Sequence, residues 1–534
     1  MITNSSFTIT DIKWDNMFLV VTVEADAKEP ASESGEEEAP VSFFVTRVAG
    51  SDKEIDLPYD KQEGSVYTFR VNISQVDGRS FLDNGEWEIE ALAAGKSYPV
   101  LVRPEVAYRA QDLSRVFRYE EGKAYIISFK IGSFADDREE MLLTLESTFM
   151  TENGNWRDKK SGVKDAAIKA VRKITDAAKA PHKGHVLFMT ETSNHISGNL
   201  KAVYDGLKNS GYESEYKISV YARNDIEEGL GVKGLMSLSR LIADQDIIMV
   251  DDYVPVFSYI DPPKGSRLVQ LWHANVGFKS VGYSRFGREG SPHPEWSCHR
   301  KYTDVFVPHK DMIDVYREVF GIEKEAFKVA GSPRLDGFAD PEKSGKKAYE
   351  LRSRFPVLRG KYVVLFAPTY RGAGEKDAFY DYSKLDIKRI LEALGDNAVL
   401  VIKMHPFISK RMDIPKEYKR RVLDMTNYPD INDLYHVADL LITDYSSDYF
   451  EFALLRKPVL FYTYDRDTYQ LTRGVHRDVK EHAPGRVCDT MDELIDALKN
   501  HDYDFDKTKA FADEYGSLLD VNSVGMVLKD VFGI

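Results

Sequence analysis

Four short polar strings in the 534-residue chain carry side chains suited to phosphoryl chemistry, and each directly follows a β-forming run. His273 follows Val269-Gln270-Leu271-Trp272. Arg371 lies in Ala367-Pro368-Thr369-Tyr370-Arg371-Gly372, after Leu365-Phe366. Lys403 and His405 follow Val401-Ile402, and Thr443, Asp444, Ser446 and Ser447 come at and after Leu441-Ile442. A strand-end histidine alone is ordinarily a hydrogen-bonded structural group. Together, Arg371, Lys403 and His405 set cationic donors beside the hydroxyls of Thr443, Ser446 and Ser447. Free backbone N–H groups at the start of a helix containing Phe450-Glu451-Phe452 would receive a phosphate. Glu451, one turn in, would accept ribose hydroxyls. The set reads as a cradle for a nucleotide diphosphate, made without a Walker loop or a GxGxxG turn.

These strings need strand ends to hold them. From about Gly184, strand-type runs (185–189, 247–250, 267–272) alternate with helical stretches such as 200–207. After an expected helix at 311–320, a second series follows with strands near 362–366, 398–403, 440–443 and 458–462. Such alternation implies two parallel-sheet α/β domains in tandem, in which ligands bind at the carboxyl ends of the strands. The expected division is a β-rich accessory domain over 1–150, a basic helical linker over 151–183, and α/β domains over 184–322 and 323–534. The final helices are expected to pack back on the rest.

The first 150 residues show short alternating runs suited to a small sandwich or barrel and no catalytic constellation. The acidic stretch from Lys28 to Glu38 reads as a loop. Residues 157–183 hold nine Lys/Arg, with Val163, Ala167, Ala170, Val171, Ile174 and Ala178 at helical spacing. Two readings stand for this helix: an interdomain connector, or a surface that docks weakly on anionic lipid headgroups.

Composition narrows the classes. With 72 Lys+Arg against 86 Asp+Glu, the net charge of −14 argues against general nucleic-acid binding. Two cysteines, Cys298 and Cys488, cannot build a disulfide framework or a Cys-rich zinc site. His293, Cys298 and His299 lack zinc spacing, and Asp251-Asp252 reads as a turn after a strand, so no metal is expected. No apolar run reaches the roughly 18 residues of a membrane span, and the first residues lack signal-peptide character. A cytoplasmic protein is expected, with any membrane contact peripheral at the inner face.

Leu271-Trp272-His273, Gly331-Ser332-Pro333-Arg334-Leu335-Asp336, Ala367-Pro368-Thr369-Tyr370-Arg371, Lys403-Met404-His405-Pro406 and Thr443-Asp444-Tyr445-Ser446-Ser447 form an ordered set. This set resembles the CDP-glycerol glycerophosphotransferase family, the teichoic acid primases and polymerases, including CDP-ribitol-using members. The resemblance runs from roughly 184 to 500. It implies a GT-B-like pair of Rossmann-like domains, here preceded by the β-rich domain, with no obligatory metal or cofactor. It also implies an enzyme that moves an alditol phosphate from a CDP-alditol to a lipid-linked polymer or saccharide acceptor, releasing CMP. Where the family's glycerol polymerases commonly have Gly after Trp-His, this chain has Ala274 and Asn275. The stretch from Gly277 to Gly287 is closer to ribitol-phosphate transferases, so the donor stays open between CDP-glycerol and CDP-ribitol.

On this resemblance His273 is the candidate general base, while His405, Lys403 and Arg371 stabilise the departing phosphate. Thr369 joins the expected donor-binding set, and Arg473 is placed to reach the donor phosphate. Arg334 and Asp336 either order the cleft hinge and a phosphate or pair with each other. Asp444 either touches substrate or caps the following helix. Two other classes share these features: a nucleotide-sugar glycosyltransferase and a non-catalytic polymer-binding adaptor. The sequence leaves the oligomeric state open.

Overall fold

The structure, a computed structural model, describes residues 6–26, 41–49, 53–133, 141–150, 173, 178, 180–224, 230–275, 277–288, 290–372, 374 and 376–534. The acidic stretch 28–38, and the basic stretch 157–183 apart from 173, 178 and 180–183, lie outside the described residues. The chain forms two units. One gathers Met1–Asp165 with Val281–Arg300 and Tyr316–Glu323; the other gathers Ala166–Ser280, Lys301–Val315 and Lys324–Ile534. Two segments inside the stretch 184–322 therefore group with the β-rich unit.

In the β-rich unit, eleven strands from Phe7–Asp15 to Met141–Met150 belong to one hydrogen-bonded sheet. Its pairings are antiparallel except that of Phe7–Asp15 with Lys96–Val102. Alternating apolar residues such as Val21, Val23, Phe69, Trp87, Tyr125 and Ile127 are buried in its core. The buried Trp87 indole donates to Ser147 Oγ at 2.9 Å, so its polar atom is satisfied.

The second unit holds two sheets, and the strands His185–Thr190, Tyr362–Phe366, Ala398–Ile402 and Leu440–Thr443 are mostly apolar and buried, as parallel strands covered on both faces must be. The first sheet runs Thr192–Ser193, Lys217–Asn224, His185–Thr190, Ile247–Val250, Arg267–Gln270, Asp304–Val307, Phe327–Val329, parallel throughout except at its first pairing. The second runs Val422–Asp424, Ala398–Ile402, Tyr362–Phe366, Leu440–Thr443, Val459–Tyr462, Arg486–Cys488, all parallel. Its first strand in sequence, Tyr362–Phe366, lies between the second and the fourth. The chain winds outward in both directions from that point, so the crevice beyond the ends of Tyr362–Phe366 and Leu440–Thr443 is where a ligand would lodge. The expected tandem of parallel-sheet α/β elements is present, as is the β-rich region before it. Among the described residues, no helix is long and apolar enough to cross a membrane.

Candidate active site

The strand Arg267–Gln270 ends in a turn that aims His273. Trp272 takes a left-handed backbone, φ +46°. For a bulky non-glycine residue that conformation costs of order 1–3 kcal/mol and needs its surroundings to hold it. Gln270 Oε1 accepts the Trp272 N–H at 2.7 Å, and the buried Asn199 amide donates to Trp272 O at 2.5 Å. His273 is delivered with its side chain 46% exposed and its ring against Trp272, centroids 4.8 Å apart.

His273 Nδ1 sits 2.9 Å from Asp251 O and 3.4 Å from the Asp252 carboxylate. A carbonyl only accepts, so Nδ1 carries the proton and Nε2 keeps its lone pair in the neutral ring. Asp251 and Asp252 follow the neighbouring strand Ile247–Val250. Read as a turn on sequence, this pair is the support of His273. The Asp251 carboxylate also accepts Leu200 N at 3.2 Å, in the first turn of the helix Gly198–Asn209. Burial, then Asp252, pushes its pKa up to about 6, while His273 and Arg334 pull the other way.

The second half of the site lies at the crevice of the second sheet. Thr443 Oγ1 donates to Ala367 O at 2.7 Å, and Asp444 Oδ1 accepts Thr369 N at 2.8 Å and Tyr445 N at 2.7 Å. These bonds tie the two loops together across the switch point. Arg371, expected to face a phosphate, is buried and spent on protein partners. Its Nε and Nη2 take both oxygens of Asp465 at 2.8 Å, and Nη1 reaches Asp444 at 2.5 Å and Thr369 O at 2.8 Å. Four tyrosine rings, of Tyr380, Tyr445, Tyr464 and Tyr469, surround it at 5.1–5.6 Å. Asp444 thus orders this loop pair and is not a helix cap.

His405 has the opposite tautomer to His273. Its Nδ1 accepts the Phe407 N–H at 3.2 Å, so in the neutral ring Nε2 carries the proton and is a donor. Burial, followed by the positive charges of Lys279 and Lys403, pushes its pKa down to about 3, with His273 and Arg473 adding to the effect. The ring packs on Tyr370 at 4.6 Å. Lys279 Nζ lies 4.5 Å over the same tyrosine ring, and Arg473 donates to Tyr370 Oη at 3.2 Å and to Gly372 O at 2.9 Å. Lys403 Nζ donates to Thr426 O at 2.8 Å, and burial lowers its pKa. Lys279 was not singled out on sequence. It reaches this half because the segment 277–280 lies along it, with Lys279 N donating to Tyr445 O at 3.3 Å and Ser280 N to Gly474 O at 3.0 Å.

The remaining expected ligands have protein partners of their own. Glu451, proposed for ribose hydroxyls, pairs with Arg334 and accepts from Asn275 Nδ2 at 2.8 Å, joining the two α/β halves. Arg334 N and Ser332 Oγ both donate to Asn199 Oδ1, at 2.9 and 3.2 Å. Asp336 accepts Ser523 N at 3.0 Å and Val524 N at 2.8 Å, capping the final helix Ser523–Phe532, so Arg334 and Asp336 do not pair with each other. Ser446 and Ser447 are half-buried before the six-residue helix Tyr449–Leu454. Asp448 stands between them and that helix; burial, then Glu451, pushes its pKa up to about 6. Asn199 escaped the sequence reading because nothing in its local pattern marks it. Among the described residues, no group of three His, Cys, Asp or Glu is placed to hold a metal ion.

A sequence model of the CDP-glycerol:poly(glycerophosphate) glycerophosphotransferase family matches residues 174–533. The teichoic acid ribitol-phosphate polymerase TarK of Staphylococcus aureus is 32% identical over 412 residues, 76% of this chain and 80% of that protein. TarL of the same organism is 33% identical over 65% of this chain, and the poly(ribitol-phosphate) polymerase of Bacillus spizizenii 35% over 63%. Those two matches cover 62% and 54% of the relatives' own lengths, less than two thirds of each. Among solved structures, the wall teichoic acid polymerase TagF aligns with a TM-score of 0.54 over 69% of this chain and 95% of that one. At 20% identity this likeness bears on fold alone.

Proposed function

The chain belongs to the CDP-glycerol:poly(glycerophosphate) glycerophosphotransferase family, and from that premise we propose that it transfers an alditol phosphate from a CDP-alditol to a hydroxyl of a poly(alditol phosphate) acceptor. The observation that carries the mechanism is the opposed tautomers of two imidazoles from the two α/β halves. In a GT-B-like arrangement, His273 Nε2 takes the proton of the acceptor hydroxyl as its oxygen bonds to the alditol-bearing phosphorus. The bond from that phosphorus to the oxygen of CMP breaks, and CMP leaves with the electron pair. The Nε2–H of His405 donates to a phosphate oxygen. Lys279, Lys403 and Arg473 supply positive charge near it, so charge neutralisation is assigned to side chains with no resident metal or cofactor. Arg371, Asp444 and Thr443 shape the crevice from beneath.

The donor we favour is CDP-ribitol, because ribitol-phosphate polymerases supply the three relatives at 32–35% identity and because Ala274-Asn275 follows Trp272-His273. The enzyme would work in the cytoplasm, reaching a lipid-linked acceptor at the membrane's inner face. Incubation with CDP-ribitol and CDP-glycerol separately, following CMP with a polymer acceptor, tests the reaction. CMP should appear faster from CDP-ribitol, and no CMP from either donor refutes the reading. His273→Asn retains a donor toward Asp251 O and removes the base. Turnover should fall about 10²–10⁴-fold with donor affinity kept, and a wild-type rate would remove the base from His273.

A further inference from the structure

Tyr370 and Arg371 are neighbours in the loop after the strand Tyr362–Phe366, and positive charge is held there in two different ways. Arg371 is gripped by the carboxylates of Asp444 and Asp465, so its charge is neutralised within the protein. The ring of Tyr370 gathers cations with no carboxylate. Lys279 Nζ lies 4.5 Å from its centroid and the Arg473 guanidinium 5.0 Å, and Arg473 Nη2 also donates to Tyr370 Oη at 3.2 Å. His405 packs on the same ring at 4.6 Å and Phe407 at 5.3 Å. Tyr370 is only 6% exposed, and the backbone on either side of it is tied down. Thr369 N donates to Asp444, while Arg371 N and O pair with Phe379 O and N at 2.8 and 3.1 Å.

An aromatic face attracts a cation through its quadrupole and carries no net charge. A carboxylate in place of the ring would hold both cations as well, but it would also repel a phosphate. The ring fixes where the cations stand and itself takes nothing from their charge. Lysine has a flexible four-carbon stem, so a side chain ordered in advance loses less freedom when an anion arrives. Lys279 comes in on the segment that follows His273, whereas Tyr370, His405 and Arg473 sit on loops of the second sheet. One ring therefore brings groups from both α/β halves into a single cluster.

We propose that Tyr370 is a positioning residue that assembles Lys279, Arg473 and His405 into one grip on the donor pyrophosphate, acting through its ring face more than through its hydroxyl. The inference rests on the proposed use of a CDP-alditol and adds to it the group that sets the cations in place before the donor binds.

The test is equilibrium binding of CDP, which has the donor's pyrophosphate, to the full chain at low and at high salt, without acceptor. Tyr370→Met fills much of the space and has no ring. It should weaken CDP about tenfold at low salt and flatten the salt dependence, since the cations no longer converge on the phosphates. Tyr370→Phe keeps the face and should bind within about threefold of wild type. In turnover, the donor KM should rise about tenfold in Tyr370→Met and return nearly to normal in Tyr370→Phe. A merely structural role would lower the amount of folded enzyme and leave the KM of what remains. Combined with Lys279→Met, the loss from Tyr370→Met should be less than additive, because the ring acts partly through that lysine. Equal CDP affinity in wild type and Tyr370→Met overturns the proposal. So does a tenfold loss in Tyr370→Phe, which would assign the role to the hydroxyl; this variant retains the packing and decides the matter even if Tyr370→Met does not fold. CDP binding that is the same in all variants sinks the role of Tyr370 alone. A wild type that does not bind CDP removes the donor reading and this inference with it.

Discussion

Asn199 joins two loops that the chain separates widely. Its amide nitrogen holds Trp272 O, 73 residues on, and its oxygen holds Arg334 N, 135 residues on. Asn199→Ala leaves the left-handed Trp272 and the Arg334 loop without that tie. Stability should fall by about 1–3 kcal/mol in denaturant titration. The kcat of the folded enzyme should fall at least tenfold with the donor KM kept, an outcome that a purely structural role would not give. Arg371→Lys loses the two-pronged grip on Asp465 and the reach to Asp444; a stability loss of about 3–5 kcal/mol is expected by urea unfolding. These positions differ in how visible they are in sequence. His273, Lys403, His405 and Asp444 lie directly after β-forming runs, and parallel sheets place such residues in a crevice. Their partners are long-range: Arg371 and Asp465 are 94 apart, and Arg334 and Glu451 are 117 apart, so no local pattern distinguished a phosphate ligand from a buried ion pair.

Among the elements, strands were legible because fully buried parallel strands read as unbroken apolar runs, as at Ala398–Ile402 and Leu440–Thr443. The expected helix over 311–320 is a 3-10 turn, Lys310–Met312, leading into the helix Ile313–Phe320. Irregular segments were opaque. Residues 277–280 have neither strand nor helix periodicity, yet Phe278 stacks on Tyr449 at 5.1 Å and its carbonyl accepts His476 N at 3.0 Å. Gly277 is required by space: a Cβ would stand 3.0–3.1 Å from Ser447 Cβ, Cα and N. Backbone cannot give way as a side-chain tip can. Gly277→Ala should lift the segment and carry Lys279 away from Tyr370 and His405. The measurable result is a donor KM raised about tenfold or more, with a melting temperature within a few degrees of wild type. An unchanged KM would mean that Lys279 does not serve the donor.

For the whole molecule, the chain passes between the units after residues 165, 280, 300, 315 and 323, so no single cut separates them. Alternating apolar runs marked the early part of the chain as β-rich, but they gave no sign that Tyr283 and Phe286 are buried in the β-rich core. Chain connectivity alone gave no reason to look 130 residues downstream. Glu318 arrives by the same route and brings a pH dependence. It is buried, accepts Met17 N, and lies among Asp15, Arg70, Arg115 and Arg288. Burial is the largest influence and Asp15 adds to it, against Arg70 and Arg115, so its pKa rises to about 7 from an ordinary 4.5. Between those values the folded chain binds more protons than the unfolded one, and stability from this group falls as pH rises through the interval. The loss is complete above about pH 7. Glutamine keeps an oxygen for Met17 N without the charge. Glu318→Gln should therefore match wild type near pH 4.5 and exceed it at pH 8 by about 3 kcal/mol in urea unfolding. A difference that is constant with pH would show that Glu318 ionises as readily in the folded chain as in the unfolded one.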